Sequence, residues 1–235
     1  MELLAIGSSN SSQFIIGDLS LYYKQYFIRK FKFYPLPFVS KEIESISRFF
    51  KKNLKKLLIK ENATEMNMKN IKLGDFKIIH IATHGLLVNE SWWRSGLILS
   101  KGRESSQDGL LQVSEIYSLK LNADLVVLSA CETAKGKLEK GEGIIGMSSA
   151  FLCAGAKSVL SSLWNINDKP TAKFMKYFYQ YLTEGKTKAQ ALRLAKIKMI
   201  NSKYKHPFYW AAFILIGDYN STIKISKPSF WEKLF

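Results

Sequence analysis

The sequence contains only two cysteines in 235 residues, Cys131 and Cys153. Two cysteines cannot form the disulfide framework of a small secreted protein, and a chain of this length can bury a core without such bridges. We therefore expect both to be free thiols in a reducing compartment, the cytoplasm. Cys153 lies beside Phe151 and Ala154, and a free cysteine in apolar surroundings is usually a small core residue, so we expect it to be buried.

Long hydrophobic runs are also absent. The longest, residues 209–216, is about half of the ~20 residues that a membrane helix needs. The chain starts with an acidic second residue and a short apolar stretch, which differs from a signal peptide. The sequence therefore predicts neither a membrane segment nor a targeting signal.

Acidic residues are scarce relative to basic ones, 19 against 35, which gives a net charge of +16. Such a balance raises nucleic acid or an anionic surface as a partner. However, the lysines are spread among isoleucine and asparagine, as in the product of an AT-rich genome, and no helix-turn-helix, RNA-recognition or zinc-finger pattern accompanies them. We expect exposed basic helix faces, and a nucleic-acid-binding module stays an alternative without a supporting motif.

Short apolar segments alternate with helical ones, which predicts a single α/β domain. The run at residues 125–129 is apolar on both faces, as in a central parallel strand. Further strands are expected at residues 3–6, 13–16, 57–59, 77–82, 158–161 and 210–216. Helices are expected with N-caps at Ser40, Asp168 and Thr187, and the last should turn inward a set of apolar residues: Ala189, Leu192, Ala195 and Met199.

Two reactive side chains follow predicted strands. His84 follows the strand at 77–82, and Cys131 follows the strand at 125–129, 47 residues later (131 − 84). Because the carboxyl ends of parallel strands meet at one edge of a sheet, we expect the two to lie together. A histidine that takes the thiol proton makes a cysteine nucleophile, and the N–H groups of Gly85 and Cys131 are the expected oxyanion donors.

Other chemistries lack their motifs. His80 and His84 have a zinc-like spacing only on a helix, whereas this segment is predicted to be a strand. The glycines at 136–143 lack the Gly-Lys-Ser/Thr end of a phosphate loop. We therefore expect no metal and no organic cofactor. Asp168 could cap its helix or bind a substrate amine, with the cap favoured, and Glu132 could shape an acidic pocket or be a solvated loop charge.

The motifs together resemble the CHAT domain, a caspase-like module often found downstream of tetratricopeptide repeats. The residues that carry the resemblance are His80-Ile-Ala-Thr-His84-Gly85, Ser95-Gly-Leu-Ile-Leu99, Asp124-Leu-Val-Val-Leu-Ser-Ala-Cys-Glu-Thr133, Gly141-Glu-Gly143, Ala154-Gly-Ala-Lys-Ser-Val159, Ser162-Leu-Trp164, Asp168 and His206-Pro-Phe-Tyr-Trp210.

The resemblance implies a caspase-hemoglobinase fold, which is a three-layer sandwich with a mostly parallel central sheet and helices on both faces. It also implies a His84/Cys131 dyad that cleaves a polypeptide substrate, regulated by an upstream repeat or sensor region. The domain is expected at residues 13–218, after a remnant of an upstream segment at 1–12 and before a C-terminal tail at 219–235.

Substrate choice is the open question. Relatives that cleave after basic residues often carry an acid two positions before the cysteine, where this chain has Ser129. The family pattern places Ser162, Leu163 and Trp164 along the specificity pocket. The rival function is a catalytically silent CHAT-like interaction module, against which the retention of both dyad residues argues.

Overall fold

The computed structural model describes residues 1–9, 35–102, 107–129, 131–132 and 142–229, with the backbone alone described at 89–91, 131–132 and 142–144. The expected strand at 13–16 and the glycine-bearing loop at 136–141 lie outside these residues. Described strands form two sheets. The strands are β1 (Leu3–Gly7), β2 (Lys55–Ile59), β3 (Ile78–Ala82), β4 (His84–Leu86), β5 (Gly96–Ile98), β6 (Leu110–Gln112), β7 (Leu125–Leu128), β8 (Cys131–Glu132), β9 (Ser158–Ser162) and β10 (Phe213–Gly217).

The larger sheet has six strands in the order β10-β9-β7-β3-β1-β2. β10 runs antiparallel to β9, and the other pairings are parallel. The run at 125–128 is the interior strand that the sequence predicted, and all four of its residues are buried. This confirms the α/β class with a mostly parallel sheet.

Helices cover both faces of this sheet. They are α1 (Val39–Ser47), α2 (Glu65–Lys69), α3 (Val113–Ile116), α4 (Glu142–Cys153), α5 (Asp168–Thr183) and α6 (Lys188–Ile200). Alternate residues of the central strands point to opposite faces: Ile78 and Leu125 join one apolar cluster with α1, α5 and α6, and Ile79 and Val126 join the other with α3 and α4. The sheet lies between these two clusters, and the helices on its two faces complete the three layers of the sandwich.

The smaller sheet has the order β6-β5-β4-β8 and continues two strands of the larger one. β4 begins two residues after β3 ends, and β8 begins three residues after β7 ends. The long excursion between His84 and β7 therefore adds β5, β6 and α3 beside the strand ends.

Described residues near both ends of the chain belong to the packed domain. β1 was set apart as part of an upstream remnant, yet it is an interior strand between β3 and β2. After β10, Ile223 is buried in the core, and Ser226 gives its N–H and hydroxyl to the carboxylate of Glu2. The described part of the 219–235 tail is thus held across the amino ends of the strands.

Two local predictions are wrong, and a third is right only in part. Cys153 is exposed, because α4 buries Ala150 and Phe151 while its last residue turns outward. The first helix begins at Val39 instead of after a Ser40 cap, and no side chain caps it. Of the residues expected inward on α6, Ala195 and Met199 are buried, but Ala189 and Leu192 are only half-buried.

The helices of the described residues include none with the length and apolarity required to cross a bilayer.

Candidate active site

β4 carries His84 out of the large sheet to the site. The chain leaves β3 at Ala82, and the Thr83 hydroxyl donates to the carbonyl of Ile98 on β5. β4 then pairs with β5 on one side, with His84 opposite Ile98. His84 is 2% exposed. Packing and the ladder therefore hold the imidazole at a defined place, which a catalytic base requires.

β8 brings Cys131 beside His84 on the other side of β4. The two strands are parallel, with His84 opposite Cys131 and Gly85 opposite Glu132. Neighbouring strands lie about 4.8 Å apart, so the structure places the backbones of the two residues side by side. The sequence predicted this juxtaposition from the two strand ends.

Gly85 lies in β4 between two neighbouring strands, opposite Leu97 and Glu132. The N–H of an interior strand residue points toward one neighbour or the other. Oxyanion binding by the Gly85 and Cys131 amides, and a pocket role for Glu132, stay predictions.

Ser129 lies in the chain between β7 and β8. Its N–H donates to the carbonyl of Ile81 at 2.9 Å, which continues the β3–β7 pairing past Leu128. The residue is 5% exposed, and its hydroxyl has no hydrogen-bond partner among the described residues. A buried serine, and not an acid, therefore stands two positions before Cys131.

The expected specificity segment begins at the end of β9, the neighbour of β7 in the sheet. Val127 lies opposite Leu160, and the same register continued by two residues places Ser129 opposite Ser162. The N–H of Leu163 donates to the carbonyl of Ala212 at 3.0 Å.

Trp164 and Asp168 follow and are both anchored. The Trp164 indole donates to the carbonyl of Phe208 at 3.0 Å. Asp168 is the first residue of α5, whose N-cap is Asn167, and its carboxylate accepts the N–H of Phe38 at 2.8 Å. The Asp168 cap prediction is therefore wrong, because the side chain reaches across to the start of α1 instead of back to its own helix.

Behind the site, sequence reasoning missed a buried triad of Glu42, His80 and Tyr179. His80 Nε2 lies 2.9 Å from the Glu42 carboxylate, and Nδ1 lies 3.1 Å from the Tyr179 hydroxyl. The three side chains are 2%, 0% and 0% exposed. Burial, with a smaller effect of the Glu42 charge, raises the pKa of Tyr179 well above its ordinary value. The one sequence signal was an acid on the inward face of α1, between Val39 and Ile43.

Both ring nitrogens of His80 therefore have protein partners, as a core histidine should. The segment is a strand, as predicted, so the zinc-like spacing of His80 and His84 does not place the two rings on one helix face. His80 lies four residues before His84 on the strand that leads to the site, and the triad ties that strand to α1 and α5.

Known proteins share both the sequence pattern and the fold. Mouse and human tetratricopeptide repeat protein 28 are 35% and 36% identical to this chain over 121 and 124 residues, about half of it, and the match spans 5% of each relative's length. Gingipain R, an Arg specific cysteine proteinase, superposes on 97% of the chain with a TM-score of 0.58 at 10% identity, over 48% of its own length.

Separase, in the Saccharomyces cerevisiae separase–securin complex, superposes on 94% of the chain with a TM-score of 0.51 at 14% identity, over 12% of the matched chain. These similarities identify the fold as the caspase-hemoglobinase fold. The family model of the CHAT domain matches residues 2–218, a range that includes β1. The chain therefore belongs to the CHAT domain family.

Proposed function

We propose that this domain is a cysteine endopeptidase in which Cys131 is the nucleophile and His84 the general base and then the general acid. The observation that carries the proposal is the β4–β8 pairing, which sets His84 opposite Cys131. A polypeptide is the substrate, and no cofactor takes part. The Arg specificity of gingipain R is a property of that proteinase.

The reaction proceeds through a thioester. The Cys131 sulfur attacks the scissile carbonyl while His84 takes the thiol proton, and the C–N bond then breaks as His84 returns that proton to the leaving amine. Water, deprotonated by His84, hydrolyses the thioester and restores the thiol. A thiol with a pKa near 8.5 is about 3% ionised at pH 7, and lowering that pKa to about 6 makes about 90% thiolate, so a nearby imidazole offers about thirty-fold.

The side chains at the ends of β7 and β9 support a pocket that is not selective for basic residues. Ser129 replaces the acid that would pair with lysine or arginine, and Ser162 continues the same register on the next strand. We therefore propose that the Ser162 to Trp164 segment selects an uncharged side chain. Such a pocket offers hydroxyl groups and an indole edge in place of a carboxylate.

An upstream region is proposed to regulate the activity. The curated relatives are named as tetratricopeptide repeat proteins, and this chain matches only a small part of their length. Repeat arrays present extended concave surfaces to partners. In this arrangement the repeats receive a signal and the CHAT domain responds to it.

The test compares cleavage sites in a peptide library for the wild type, Cys131→Ala and Cys153→Ala, with and without the upstream region of the full-length protein. Cys153 is an exposed thiol, so Cys153→Ala is a matched control that should keep every cut. Cys131→Ala should lose every cut. A Cys131→Ala protein that cleaves like the wild type would refute the mechanism.

Labelling separates a latent enzyme from a silent module. A peptidyl acyloxymethyl ketone should label the Cys153→Ala protein at Cys131, and His84→Ala should slow that labelling. If Cys131 reacts no faster than a denatured thiol, even in the full-length protein, the interaction module is the correct alternative.

A further inference from the structure

A second candidate site lies at the edge of the large sheet, away from the dyad. Here α6 and β10 border an open groove of about 740 Å³. Its floor and walls are mainly apolar, and its principal lining residues are Leu192, Arg193, Lys196, Ile200, Leu215 and Tyr219.

The groove runs along a strand edge whose backbone groups are available. β10 is the last strand in the order of the large sheet, and within the described ranges it pairs only with β9. The N–H of Leu163 donates to the carbonyl of Ala212, and that of Asp218 donates to the carbonyl of Lys157. Because antiparallel pairing alternates, the N–H and C=O groups of the intervening residues at 213, 215 and 217 point outward to the open edge.

The groove face of α6 includes apolar surface that is exposed among the described residues. The helix turns Ala191, Ala195 and Met199 into the core. Its groove side leaves Ile200 42% exposed, and the neighbouring Tyr219 is 56% exposed. An apolar helix flank beside an open strand edge is the shape that receives an added strand, which hydrogen-bonds to the edge and packs alternate side chains on the helix.

The positive charge of the groove indicates which kind of ligand it binds. Arg193 and Lys196 line it and no acidic residue does, and in the described part of the chain neither forms a salt bridge. Burial lowers the pKa of Lys196, because no carboxylate offsets the loss of water. A carboxylate brought by a ligand would supply that missing charge.

We propose that this groove binds an extended, acidic segment of a protein partner, which adds to the sheet along β10. Its backbone pairs with the open edge, its apolar side chains pack against Leu192 and Ile200, and its carboxylates meet Arg193 and Lys196. A second copy of this chain fits less well, because a paired β10 edge would bring two sets of these cations together on chains of net charge +16 each. The proposal does not depend on the peptidase activity.

The test uses a fluorescein-labelled peptide of Val-Thr-Glu-Thr repeats, titrated with the purified protein and followed by fluorescence anisotropy. Every second residue of an added strand faces α6, so in this peptide valine and glutamate take turns on that face. We expect saturable binding that weakens at least about tenfold in Arg193→Gln/Lys196→Gln. Ile200→Glu should weaken binding as well. Methylation of the central backbone nitrogens of the peptide should abolish binding, because strand addition needs those donors and close backbone approach.

The matched control is Lys198→Gln/Lys203→Gln, which removes the same charge from the neighbouring cavity between α5 and α6. This control should bind the peptide as the wild type does. An equal loss in the control, equal binding of the same peptide with lysine in place of glutamate, or unchanged binding of the methylated peptide would refute the proposal in favour of general electrostatic attraction. Dimerisation of the free protein that Ile200→Glu abolishes would show that a second copy occupies the edge.

Discussion

Replacing His80 with alanine tests whether the buried triad holds β3, the strand that leads to His84. The imidazole contacts Glu42 at 2.9 Å and Tyr179 at 3.1 Å, and all three side chains lie away from water. All three groups are paired when the Tyr179 hydroxyl donates to Nδ1 and Nε2–H donates to the carboxylate. Alanine would leave the Glu42 carboxylate and the tyrosine hydroxyl buried without this partner.

The expected cost is large. Leaving the Glu42 carboxylate buried without its donor should cost about 3–5 kcal/mol, as when one partner of a buried ion pair is removed, and the stranded hydroxyl adds about 1 kcal/mol or more. For a chain of this size, 1 kcal/mol corresponds to about 2–4 °C in melting temperature. His80→Ala should therefore lower the melting temperature by about 10 °C or more.

Two matched variants assign the loss to the contacts. His80→Gln can keep a donor toward Glu42, so it should lose less stability than His80→Ala. The triple variant Glu42→Leu/His80→Leu/Tyr179→Phe removes all partners together and should be more stable than His80→Ala, because no buried polar group is stranded.

Differential scanning calorimetry of the four proteins measures these differences. A melting temperature of His80→Ala within about 3 °C of the wild type would refute the idea that the triad stabilises the strand. A triple variant less stable than His80→Ala would instead show that the hydrogen bonds contribute net stability beyond the penalty of losing one partner.

The same structure makes three further predictions. The pKa of Tyr179 is raised in the folded state, so the unfolded chain loses the tyrosine proton first as the pH rises past about 10. The wild type should therefore lose up to about 1.4 kcal/mol of stability per pH unit above pH 10. In urea titrations at pH 9 to 11 the stability of Tyr179→Phe should fall less steeply with pH, and parallel profiles would contradict the shift. Gly155→Ala should lower the free energy of unfolding by at least about 2 kcal/mol, because φ of Gly155 is +110° and an added Cβ would lie 2.3 Å from the Leu121 carbonyl oxygen. A melting temperature equal to that of the wild type would rule this out. Glu2→Ala should release the C-terminal tail that Ser226 holds against Glu2. Trypsin should then remove the C-terminal segment faster than in the wild type, and an unchanged digestion rate would show that other contacts hold the tail.

The pairing of His84 with Cys131 could be predicted from sequence because it depends on a local pattern and a topological rule. A continuous apolar run marks a strand that is covered on both faces, and the cysteine after it must then lie at the sheet edge where parallel strands end. The same rule placed His84 after its own strand. The only long-range relation required was that the two strands are neighbours in the sheet.

The features that sequence missed all depend on distant partners. Glu42 on α1 looks like a helix acid until Tyr179, on a helix far along the chain, closes the triad around His80. Cys153 looks like a core thiol in composition, and only the packing of α4 turns it to solvent. Burial and register are properties of the assembled sheet, so single-residue arguments could not determine them.

The separation of 47 residues between His84 and Cys131 acquires a structural meaning in the assembled sheets. Ile81 lies opposite Leu128 in the large sheet and His84 lies opposite Cys131 in the small one, and both pairs differ by 47 (128 − 81 and 131 − 84). The register therefore passes unchanged from one sheet to the next, supported by the Ser129 N–H bond to Ile81 in the break between them. A change in the length of the excursion between β4 and β7 would alter that residue count without moving His84 away from Cys131. A single insertion between Leu128 and Cys131 would leave the count nearly intact and yet displace the cysteine from the histidine, because one residue of slip reverses the face of every residue that follows in a strand.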